Sequence, residues 1–170
     1  MIALPVHILF LGRPGLAPAE GVIALGARNM LEGGSWLVVR LYGELYAYKP
    51  PLAYWICALS QWLLRGHNEW VLRLPAATAG LLHGCVILLA LSRWVSPRCG
   101  LFAALSFSTS GLIFEQARLL SFDVFLTLGF GVAILAACRN LTAAKARLSV
   151  WLAAYSGLLF GFMSKGVPAV

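Results

Sequence analysis

Leu74-Pro-Ala-Ala-Thr-Ala-Gly-Leu-Leu-His-Gly-Cys-Val-Ile-Leu-Leu-Ala-Leu-Ser92 is the stretch whose reading decides the fold. It carries no charged side chain. As a helix rising 1.5 Å per residue it covers ~28 Å, close to the ~30 Å hydrocarbon core of a bilayer. Three further apolar stretches follow, near Pro97–Phe114, Leu119–Cys138 and Leu148–Ser164. Across the chain, 61% of residues are hydrophobic and 11% charged, unlike the usual mix of a soluble domain. The expected fold is all-α: a polytopic helical membrane protein of about five transmembrane helices, with an outer-face loop carrying interfacial helices.

Working outward from that core, Met1–Gly12 is apolar but covers only ~18 Å as a helix, so it reads as an incomplete first span. It lacks the basic start and small-residue cleavage site of a removable signal, and therefore reads as an anchor. Between it and the spans, residues 13–73 form a mixed loop. Pro18 precedes a stretch with helical spacing at Val22, Ile23, Ala27, Met30 and Leu31 that Gly33-Gly34 stops, as an amphipathic surface helix would. Pro51–Leu64 is apolar and aromatic but too short for an ordinary span. The expected organisation is thus a first span over residues 1–12, a loop with interfacial helices over 13–73, and four further spans over 74–170.

The charges set the expected topology. If Pro51–Leu64 does not cross, Arg93, Arg98, Arg139, Lys145 and Arg147 share one side, and all six acidic residues fall on the other. Basic residues in short loops mark the cytoplasmic side. The N-terminus is then cytoplasmic, and the 13–73 loop lies outside with the Glu115–Asp123 turn. The net charge of +7 is spread between apolar runs, which excludes a nucleic-acid stripe.

Cys57, Cys85, Cys99 and Cys138 have no paired spacing and read as packing residues. His7, His67 and His83 have no ligand spacing. Tyr46, Tyr48, Tyr54, Trp55, Trp62 and Trp70 suit an interfacial aromatic belt, and Gly157 to Gly161 has the spacing of a helix-packing motif. The Asn140-Leu141-Thr142 sequon falls on the inner side of this topology, where it would not be used.

The outer loop carries a more specific pattern. Ala19-Glu20, Ala27-Arg28-Asn29-Met30-Leu31-Glu32-Gly33-Gly34, Tyr42-Gly43-Glu44 and Lys49-Pro50-Pro51-Leu52-Ala53-Tyr54-Trp55 follow one another. Asn68-Glu69-Trp70, Arg73-Leu74-Pro75, Ala117-Arg118, Asp123 and Ser164-Lys165-Gly166 continue it. The sequence resembles the GT-C-type glycosyltransferases that depend on polyprenyl-phosphate sugars, the group of the aminoarabinose lipid A transferases and the protein O-mannosyltransferase-like enzymes. That resemblance implies transfer of a sugar from a polyprenyl-phosphate donor at the periplasmic face of a cell inner membrane. The acceptor would be lipid A, a protein or another glycan.

Such a reaction needs cations for the departing lipid phosphate and a carboxylate near the acceptor. The resemblance assigns Lys49, Arg118 and Lys165 to the phosphate, and Glu20 and Asp123 to catalysis. Two departures stand out. Family members commonly begin the surface helix with Asp-Glu, where this chain has Ala19-Glu20, and some carry an acid where it has Tyr48. The resemblance allows a divalent ion held by carboxylates, against which both departures count, and no metal ligand or other cofactor is assigned. Family members are also several times longer, so the chain reads as an N-terminal part without independent catalysis. The alternative is a non-catalytic membrane protein or truncated remnant of the same family. A transporter would place buried charges on helices broken at mid-membrane, whereas the charges here sit at span ends.

Overall fold

The computed structural model describes Ile8 and residues 11–13, 15–143, 145 and 147–166. Most of the expected first span, with His7, lies outside the described residues.

Helix α1 covers Pro18–Leu31, followed by the short strands β1 (Arg40–Leu41) and β2 (Glu44–Leu45). Then come α2 (Leu52–Leu64), α3 (Glu69–Trp94), α4 (Pro97–Thr109), α5 (Gly111–Arg118), α6 (Phe122–Leu141) and α7 (Leu148–Lys165). The described chain is an α-helical membrane protein. Helices α3 and α6 are each long and apolar enough to cross a bilayer. Helix α7, with 18 residues, reaches ~27 Å.

Each boundary has a local cause. Pro18 opens α1 where its missing N–H costs nothing. Asn68 caps α3 by accepting from Val71 N–H at 3.0 Å. The helix therefore starts at Glu69, five residues before the expected span, and takes Arg73 into its interior as a buried residue. The expected continuous span over Pro97–Phe114 is corrected: it breaks at Ser110. That residue is extended at φ −62° and ψ 132°, ending α4 and starting α5. Hydropathy alone passes over Ser108-Thr109-Ser110-Gly111, whose hydroxyls and glycine favour a break. The 13–73 loop also holds a β-hairpin that the sequence reading did not foresee. Tyr42 and Gly43, at φ 54° and 87°, make the type of turn that matches the twist of two short strands.

The core has two parts. One joins α1 to α2 through Ile23, Ala27, Met30, Tyr54 and Cys57. Gly26 makes room for the Tyr54 ring, which a Cβ there would meet at 2.6 Å. The other part packs Ala53, Ala76, Ala79, Ala117, Val124 and Phe125. Helices α6 and α7 close on glycines: a Cβ at Gly129 would lie 2.6 Å from the Gly157 carbonyl oxygen and from Gly161 N. The Gly157–Gly161 spacing therefore does mark a helix contact.

Helix α2, with 13 residues, is short for a span. Pro50, at its start, lies against Gly166 at the end of α7. Further along, Ser60 donates to the Val71 carbonyl in the first turn of α3 at 2.7 Å. Both anchor points belong to the same end of the bundle.

Candidate functional site

That end is organised by Glu20. As the third residue of α1, it accepts from Ala17 N–H at 2.8 Å, closing the helix start. Arg73 of α3 meets the carboxylate with two parallel bonds, Nε to Oε1 and Nη2 to Oε2, both 2.8 Å. Leu120 N–H, just before α6, gives a further bond at 2.7 Å. These donors use the acceptor sites of a carboxylate. Arg73 also donates to the carbonyls of Leu11 at 2.7 Å and Gly15 at 3.0 Å. The two side chains are only 3% and 1% exposed, so the pair is a buried knot tying α1, α3 and the approach to α6. Burial pushes the Glu20 carboxyl up, but bonds from Arg73, Leu120 and Ala17 outweigh it and hold the pKa below the ordinary value. The ion-pair partner of Arg73 is thus a residue of α1, not the Glu69 one turn before it.

Three residues beyond Leu120 stands Asp123, in the first turn of α6, with Ser121 capping that helix by accepting from Asp123 N–H at 3.1 Å. Its carboxylate pairs with Lys165 Nζ in the last turn of α7. Unlike the buried knot, this pair is open: Asp123 is 44% exposed and Lys165 28%. Gly166 follows, with φ +79° and its Cβ position 3.4 Å from Pro50 Cδ, so the Lys49-Pro50 corner sits beside the Asp123–Lys165 pair. Lys49 itself is half-buried.

Glu20, Lys49, Asp123 and Lys165, read separately from the sequence, thus come to one end of the bundle. Arg118 joins them from the last turn of α5, its guanidinium 5.2 Å from the Phe114 ring centre. Ala19 is exposed beside Glu20 and offers no functional group. Arg73 was the residue whose part the sequence reading missed. The available signal was a guanidinium within an apolar helix, which needs a buried partner.

An apolar cavity of about 430 Å³ starts within two turns of the Asp123–Lys165 pair, lined by Leu59, Leu63, Leu82, Phe125, Leu128 and Phe160. Among the described residues, no three His, Cys, Asp or Glu side chains gather as a metal site would require. The arrangement can hold an anionic headgroup at its cationic rim and an apolar tail in its groove.

Residues 48–170 match the family described as dolichyl-phosphate-mannose-protein mannosyltransferase. The undecaprenyl phosphate-alpha-4-amino-4-deoxy-L-arabinose arabinosyl transferase of Pectobacterium carotovorum subsp. carotovorum is 32% identical over 94% of this chain and 29% of its own length. The protein of the same description from Pseudomonas savastanoi pv. phaseolicola is 33% identical over 98% of this chain and 32% of its own. The crystal structure of ArnT from Cupriavidus metallidurans bound to undecaprenyl phosphate superposes with a TM-score of 0.88 at 26% identity. That match covers 98% of this chain and 31% of the solved one. The chain thus spans about a third of the length of the relatives it matches.

Proposed function

Since the chain belongs to the dolichyl-phosphate-mannose-protein mannosyltransferase family, we propose that it forms the donor-phosphate wall of a glycosyltransferase in a bacterial inner membrane. The donor is a sugar carried on undecaprenyl phosphate, and aminoarabinose is the sugar favoured by the activity of the relatives. In this reading the end bearing Glu20, Lys49 and Asp123 faces the periplasm and the N-terminus faces the cytoplasm. The observation that carries the proposal is the meeting of the Lys49-Pro50 corner with the Asp123–Lys165 pair through Gly166.

Lys49 and Lys165, with Arg118 at the rim, supply positive charge where the lipid phosphate departs, and the apolar groove receives prenyl units. Such charges act most strongly where charge grows in the transition state. Asp123 holds Lys165 in place and is the carboxylate open to an acceptor. We assign Glu20 a positioning part in place of catalysis, because its acceptor sites are filled and Arg73 holds its charge. With Ala19 carrying no carboxylate, an acceptor that is already an anionic phosphate, as on lipid A, suits this site better than a hydroxyl. The same two facts favour the second reading, a donor-binding membrane protein without turnover.

Reconstituting the protein with undecaprenyl phosphate and with labelled undecaprenyl-phosphate aminoarabinose plus lipid A separates these readings. Binding with transfer supports the enzyme. Binding without transfer supports the second reading. Absence of undecaprenyl-phosphate binding overturns both.

A further inference from the structure

At the opposite end of the bundle lies a second cavity, this one charged, of about 770 Å³, lined by Arg139, Asn140, Thr142, Lys145, Arg147 and Val150 among others. Its shape is fixed by Asn140, a buried residue. The Asn140 amide donates to the Arg147 carbonyl at 2.9 Å, while its oxygen accepts from Arg147 N–H at 3.0 Å. This two-way clamp joins the end of α6 to the start of α7, and the exposed residues Arg139, Lys145 and Arg147 border one space beside it. Arg139 is further seated over the Trp94 ring, 5.9 Å from its centre, at the end of α3.

Loop bases mark the cytoplasmic side; for their gathering around one cavity the plainest account is that they answer the negative C-terminal end of α6. That account fits Arg139, in the last turn of α6, but not Arg147. Arg147 is the N-cap of α7, where the helix dipole is positive and a cation is disfavoured. Among the described residues lining the cavity there is no acidic side chain. Three like charges border one cavity, Arg147 among them against an unfavourable dipole, and an anion between them would relieve the repulsion. The cavity opens at the end of α6, a helix long and apolar enough to cross the membrane, hence at headgroup depth.

We infer that the cavity ringed by Arg139, Lys145 and Arg147 binds the phosphate of an anionic phospholipid headgroup. Basic pockets between transmembrane helices recognise such lipids by charge at close range. The site is separate from the proposed donor site and does not depend on sugar transfer.

The test measures lipid retained by the detergent-purified protein, using native mass spectrometry with phosphatidylglycerol against phosphatidylcholine. The wild type is expected to prefer phosphatidylglycerol at least ~10-fold, each base contributing roughly fivefold. The K145Q/R147Q variant is expected to lose that preference, and K145R/R147K to keep it. Unchanged preference in K145Q/R147Q, or its loss in K145R/R147K, overturns the inference. Should K145Q/R147Q fail to fold, wild type in high salt serves in its place: the preference is expected to collapse, and persistence overturns the inference. Millimolar inorganic phosphate separates the two sources of the same chemistry. Retained lipid supports the headgroup, whereas full displacement assigns the cavity to free phosphate and overturns the lipid.

Discussion

Two carboxylate–cation pairs sit a few residues apart at one end of this bundle, and they differ in almost every physical respect. Glu20 and Arg73 are nearly sealed from solvent, joined by two bonds and surrounded by backbone donors and acceptors. Asp123 and Lys165 meet through one oxygen, with both side chains partly open. Taking two charges from water costs several kcal/mol per ion unless every remaining polar site is satisfied. The first pair meets that condition and has little capacity left for chemistry. The second has left its exposed atoms available. A carboxylate at the start of a helix can therefore be sealed into the scaffold or left open, and its neighbours decide which.

The largest expected effect breaks the buried pair. Arg73→Met leaves the Glu20 carboxylate without its cation and should cost about 3–5 kcal/mol of stability, read as a lowered thermal midpoint in detergent. A loss below ~1 kcal/mol would place the pair among ordinary exposed ion pairs.

Gly26→Leu tests the packing that holds α1, and hence Glu20, over α2. The Tyr54 ring occupies the space that even a Cβ would need, and overpacking of this kind costs about 1–3 kcal/mol. Unchanged stability would show that α1 can move without disturbing the knot.

Acid sharpens the same comparison. Glu20 has its pKa held below the ordinary value in the folded protein, so the unfolded chain binds its proton first as pH falls. The stability from this group is fully present above the unfolded carboxylate pKa and is lost as pH falls through the folded one. Wild type should therefore lose stability towards low pH more steeply than Glu20→Gln, and parallel curves would contradict the assignment. The smallest effect belongs to the open pair: Lys165→Ala should change stability by only about 0–1 kcal/mol.

Much of this was legible in the residues, and the exceptions have physical causes. Apolar length exposed the spanning helices, and the proline and glycine punctuation placed α1 and α2. The break at Ser110 escaped because a hydropathy reading weighs transfer energy and ignores hydroxyls that compete for backbone bonds. The hairpin escaped because two-residue strands leave no alternating pattern. At the site, Lys49, Asp123 and Lys165 were legible one by one, while the pairing of Asp123 with Lys165 spans 42 positions. Glu20 and Arg73 are 53 positions apart, beyond the reach of local spacing. Long-range pairing is a product of helix packing and leaves no local trace.

The central claim is that the open end, with Lys49 at its corner, is the place where a polyprenyl phosphate binds. The direct test is the affinity of the reconstituted protein for undecaprenyl phosphate, compared with Lys49→Ala and with Arg93→Ala at the far end of α3. A charge-assisted contact is worth about 1.5–3 kcal/mol, so Lys49→Ala should weaken binding roughly 10- to 100-fold while Arg93→Ala leaves it unchanged. Equal affinity in wild type and Lys49→Ala, or a loss confined to Arg93→Ala, would contradict the account.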